Sequence, residues 1–153
     1  MRKTIISFLM LVCFLLNACS QNEETVEIDD KGFANTLLVQ KIEGNIASDD
    51  MTKIVKDKEK ITETLEMVKG LEVKEIEVNR MFEKLRAQNA YMFSFLENDV
   101  GDTEKIPYAF YILEDGTVLF TAENVGSPEY PRVSLDKQED LLGEMREMLD
   151  VEF

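Results

Sequence analysis

Residues 106–123 read IPYAFYILEDGTVLFTAE, two largely apolar runs joined through Glu114-Asp115-Gly116-Thr117. An Asp-Gly pair between such runs is a strong hairpin signal. Glycine enters positive φ without steric cost, and the aspartate side chain closes the turn on its own backbone. The pair predicts a tight two-residue hairpin between Ile106–Leu113 and Val118–Glu123, and with it an antiparallel sheet. Just upstream, Asn89–Leu96 reads NAYMFSFL. Tyr91, Phe93 and Phe95 alternate there with Met92, Ser94 and Leu96. In the same way Tyr108, Phe110 and Ile112 alternate with Ala109, Tyr111 and Leu113. Both faces of these strands are more apolar than a sheet with one wet side requires. Either a second layer covers the further face, or that face is a binding patch.

The flanking segments supply the rest of the architecture. Thr36–Glu43 reads as a strand, residues 44–51 (GNIASDDM) as a loop, and Lys53–Val55 as a short partner strand. Ile61, Leu65 and Val68 recur on one face of a helix, with Asp57 placed to cap it and Gly70 to stop it. Val73–Val78 reads as an edge strand. Asn79 is placed to cap a short helix over 80–88, in which Met81 and Leu85 share a face. Ser134 is placed to cap a last helix carrying Leu141, Met145, Met148 and Leu149. The order ββαβαβββα segregates strands from helices. It predicts one small α+β domain, an antiparallel sheet with helices on one face.

The chain opens with Arg2 and Lys3, followed by an apolar segment from Ile5 to Leu16. Twelve residues are too few for a membrane-spanning helix, which needs about 20, but suit a secretory signal. The run ends in Leu16-Asn17-Ala18-Cys19, which resembles the lipobox of a bacterial lipoprotein. The resemblance implies signal-peptidase recognition through Leu16 and Ala18, cleavage before Cys19, and a diacylglyceryl group with palmitate-type chains on the Cys19 thiol. Two acyl chains make a stable anchor where one does not. On this reading residues 1–18 are a signal peptide, 19–34 an acidic tether, and 35–153 the α+β domain. The implied location is the extracytoplasmic face of the cell membrane. From Asp57 onwards the pattern also resembles uncharacterised small lipoproteins of Gram-positive bacteria. These share an early amphipathic helix, a Tyr-rich strand, an Asp-Gly hairpin and a C-terminal amphipathic helix.

Cleavage before Cys19 would leave 135 of the 153 residues, and loss of Arg2 and Lys3 would move the formal charge from −14 to −16. Such a surface repels nucleic acid and anionic headgroups, so no nucleic-acid partner is expected. The chain has no histidine, which removes Ser-His-Asp and Cys-His catalysis and imidazole metal sites. Cys13 leaves with the signal and Cys19 is lipidated, so neither a disulfide framework nor thiolate zinc chemistry is expected.

Several short motifs read as ordinary structure. Ser134-Leu135-Asp136-Lys137 matches the S-x-x-K nucleophile motif of penicillin-binding proteins, but no S-D-N or K-T-G follows it, and a capping serine explains it. Asp49, Asp50, Asp99, Asp102 and Glu104 offer oxygen ligands but lack EF-hand spacing, and read as solvated acidic turns. Residues 123–133, ENVGSPEYPRV, form an irregular loop with Tyr130 and Arg132. The candidate binding residues are therefore Tyr91, Met92, Ser94, Tyr111, Tyr130 and Arg132. No catalytic residue, metal ligand or cofactor is expected. The expected function is non-catalytic binding of an envelope or extracellular protein by a module held to membrane lipid through acylated Cys19. The alternative is a small-ligand or cation sensor.

Overall fold

The structure, a computed structural model, describes residues 23–29, 31–44, 46–97, 108–121 and 131–153. Along the chain these form β1 (Glu23–Thr25), β2 (Thr36–Glu43), β3 (Ile46–Val55), α1 (Lys58–Val68), β4 (Glu72–Glu75), α2 (Val78–Ala87), β5 (Ala90–Leu96), β6 (Tyr108–Leu113), β7 (Val118–Phe120), β8 (Arg132–Ser134) and α3 (Leu141–Met148). The strands make one antiparallel sheet in the order β1-β4-β8-β7-β6-β5-β2-β3. The chain is thus an antiparallel α+β domain, as its pattern predicts.

The main core lies on the aromatic face of the central strands. Phe93 of β5 stands opposite Phe110 of β6, their rings stacked with centroids 5.0 Å apart. Leu37 and Val39 of β2 extend this face, and Ile61, Leu65 and Val68 of α1 close over it with Met145 and Leu149 at α3. Each fully buried side chain of this size contributes about 1.5–3 kcal/mol of transfer free energy. Asp57 caps α1 by accepting hydrogen bonds from the Glu59 and Lys60 amides, at 3.0 and 3.4 Å. Gly70, at φ +85°, turns the chain out of that helix.

The expectation of helices on one face describes α1 and α3. Helix α2 crosses the other face, where Met81 packs with Ala90, Leu113, Leu119 and Val133. The physical reason lies in the strands. With apolar side chains on both faces, the sheet needs cover on both sides.

Six local readings differ from the structure. The strand expected at the edge over Val73–Val78 is β4, which ends at Glu75 and lies between β1 and β8. Asn79 does not cap α2 but lies inside it, because the helix starts at Val78 with Glu77 at the N-cap position. Residues expected as a tether join the fold from Glu23 onward. Strand β1 pairs with β4, Val26 exchanges backbone hydrogen bonds with Gly70 and Leu71, and Val26, Ile28 and Ala34 are buried. The segment expected as a loop after Gly44 is mostly strand, because β3 starts at Ile46. As the edge strand of the sheet, with a register shift against β2 between Gln40 and Ile42, β3 keeps polar side chains in water while its backbone pairs. Ser134 does not cap the last helix. It ends β8, its Oγ accepts from the Val118 amide at 3.1 Å, and α3 begins only at Leu141. The Asp-Gly hairpin has three loop residues, not two. Leu113 and Thr117 still pair, and Gly116, at φ +82°, donates to the Leu113 carbonyl. This is the three-residue form, a type I turn followed by a left-handed glycine.

Candidate functional site

Alternation along β5 divides the sequence-picked residues between two environments. Tyr91 belongs to the core face and is buried. Its hydroxyl donates to the Phe153 carbonyl at 2.8 Å, and the Arg146 guanidinium lies 5.3 Å from its ring centroid. Burial and internal bonding use up both ends of this side chain, so Tyr91 is a packing residue and not an accessible binding group.

Met92, Ser94 and Tyr111 point to the opposite face, where the register brings them together. Met92 stands directly across from Tyr111, and Ser94 from Ala109. On the other side of β5, Gln40 faces Met92 and Leu38 faces Ser94. Beyond β2 lie Thr52 and Ile54 of the edge strand. Two rungs of side chains therefore run from β3 towards the middle of the sheet. One is Ile54-Leu38-Ser94-Ala109, the other Thr52-Gln40-Met92-Tyr111.

Cover over this strip is partial. Helix α2 buries Leu113, Leu119 and Val133 fully or nearly so. Leu38, Gln40, Met92 and Tyr111 are half-buried, and Ile54 is 47% exposed. Burial raises the Tyr111 phenol above its ordinary pKa, so it stays a neutral donor across the physiological range. The Gln40 amide donates to Thr52 Oγ1 at 3.2 Å, which holds the polar end of the strip in place. Ser94 and neighbouring Thr36 bury their hydroxyls without a hydrogen-bond partner. The strip can make apolar contacts along Ile54, Leu38 and Met92, with Tyr111 and Gln40 as polar points. It presents no nucleophile beside a base.

No family model, curated protein or solved structure matches this chain. What the strip can do follows from its own chemistry.

The remaining expected residues lie elsewhere. Arg132 sits in β8 on the core side of the sheet and reaches across β4 to Glu24, at 3.1 Å. It ties the edge strand down and takes no part in the strip. Tyr130 lies outside the described residues, as do Leu16, Ala18, Cys19, Asp99, Asp102 and Glu104. Among the described residues no three acidic side chains come together in a way that could hold a metal ion, and Asp49 and Asp50 are exposed on β3. Lys137 pairs with Asp115 at 2.9 Å while Ser134 Oγ is held by Val118, so the S-x-x-K residues serve separate structural contacts. Among the described residues no helix is long and apolar enough to cross a membrane.

The sequence reading missed Leu38, Gln40 and Ile54. The signal for the first two was present in TLLVQKIE, where Leu38 and Gln40 alternate with Leu37 and Val39. Their importance depends on β2 lying beside β5, a pairing no local pattern announces.

Proposed function

We propose that this chain is a lipid-anchored, non-catalytic binding module at the extracytoplasmic face of the cell membrane, and that it captures a protein partner on the half-open strip. The observation that carries the binding role is the Met92–Tyr111 pair, half-buried and flanked by Leu38 and exposed Ile54 on a sheet face that α2 covers only in part. A contiguous apolar patch rimmed by polar groups suits protein contact. The run ending Leu16-Asn17-Ala18-Cys19 supports the anchor. The absence of histidine from the sequence supports binding over hydrolysis.

The test is photo-crosslinking in intact cells from a probe at Ile54, beside a control probe at Glu59 on α1. A defined envelope protein joined at Ile54, not at Glu59, and lost with Cys19→Ala, is the expected result. Equal labelling from both positions would remove the strip as the site. Palmitate incorporation that persists in Cys19→Ala would remove the anchor.

A further inference from the structure

Helix α2 departs from the charge of the chain that carries it. The whole sequence has a formal charge of −14, yet α2 holds Arg80, Lys84 and Arg86 against a single acid, Glu83. Helices α1 and α3 each contain more acidic than basic residues. At 100° per residue, Met81 and Leu85 point inward, Arg80 and Lys84 lie on one flank, Phe82 and Arg86 on the other, and Glu83 lies outward between them. Phe82 is 43% exposed, and Arg86 lies over its ring at 5.9 Å. The apolar face of α2 is already packed on the sheet, so the side chains left for a headgroup surface are the three basic residues and Phe82 beside Arg86.

A second observation says which surface this helix meets. The sheet begins at Glu23, four residues after Cys19, so the lipid and the first strand are separated by about 14 Å at full extension. Glu23 pairs with Lys74, and α2 starts four residues beyond Lys74. Glu23 and Lys74 also point to the face of the sheet that α2 covers, since Lys74 stands opposite Val133. The anchor thus delivers this end of the domain to the bilayer.

We propose that α2 docks on the anionic headgroup surface of the membrane, through Arg80, Lys84, Arg86 and Phe82. The inference rests on acylation of Cys19. Repulsion of the acidic remainder then works with attraction of the basic helix, and together they orient the domain. The edge strand β3 lies at the far end of the sheet from β1, the end that the anchor does not hold.

The experiment uses acylated protein extracted from membranes and reconstituted in phosphatidylcholine vesicles with or without phosphatidylglycerol. A fluorophore is placed by Asn79→Cys on α2 or by Asp49→Cys on β3, and a headgroup-level quencher reads its depth. With phosphatidylglycerol present, the α2 label is expected to be quenched and the β3 label not. Each basic residue near an anionic leaflet favours contact roughly fivefold, so the triple variant R80Q/K84Q/R86Q is expected to lower the docked-to-undocked ratio roughly a hundredfold. Raised salt should act in the same direction. Equal quenching at both positions, or an α2 label unaffected by the triple variant, would overturn the docking. Mass spectrometry of Cys19 separates the two readings. An unmodified Cys19 defeats the anchor and the docking with it, whereas an acylated Cys19 with the α2 label in water defeats the docking alone.

Discussion

Gly116 has no room for a side chain. A Cβ there would sit 2.9 Å from the Gln138 carbonyl carbon and 3.0 Å from the Glu139 amide nitrogen, at a φ that is already left-handed. Gly116→Ala is expected to cost more than about 2 kcal/mol, combining backbone strain with a clash against backbone that cannot swing aside. Gly70→Ala has the same sign of φ but open space around it, and should cost only about 1–2 kcal/mol. Urea midpoints of the two variants check the difference. Thr36 poses the opposite case, a buried hydroxyl with no partner. Thr36→Val keeps the shape, removes the orphan, and should leave stability unchanged or raise it by up to about 1 kcal/mol. A loss larger than that in thermal melting would mean the hydroxyl has a partner in solution. At Asp115, burial pushes the pKa up, but hydrogen bonds from Lys137 and Thr117 outweigh it and hold the carboxyl well below its ordinary value. A depressed carboxylate contributes stability that is full above its unfolded pKa of about 3.9 and is lost as pH falls further. Asp115→Asn should therefore flatten the stability profile below about pH 4 while lowering stability at pH 7.

At the scale of elements, legibility tracked locality. Helix α1 was readable because its stripe, its cap Asp57 and its stop Gly70 lie within one short span. Asp57→Ala should cost about 1 kcal/mol, measurable by denaturant unfolding. Strand β1 was not readable. Glu-Glu-Thr is exposed and acidic, and only its pairing to β4 and its tie to Arg132 make it a strand. The start of α3 misled for a related reason. Ser134 has the chemistry of a cap, but Leu135 donates to the Glu72 carbonyl and Gln138 to that of Gly116, and these tertiary bonds hold the chain out of a helix until Leu141. The strip was half legible. Met92, Ser94 and Tyr111 followed from alternation, while Tyr91 went to the core because a strand pattern separates two faces without saying which one a helix will cover.

Across the whole molecule, the strand order puts the first and last steps of assembly far apart. Strands β5, β6 and β7 are successive neighbours, as are β2 and β3. By contrast Glu24 waits for Val73, and Val73 waits for Ser134. Pairings across long stretches of chain close late, because loop entropy is lost before contact is gained. Amides of β1 and β4 are therefore expected to acquire hydrogen-exchange protection after those of β5 and β6 in pulse-labelled refolding, and simultaneous protection would argue against this sequence of events. If Cys19 is acylated as proposed, a chain emerging amino end first would reach its processing enzymes before the β1 edge closes, because that closure needs β8, near the far end of the chain.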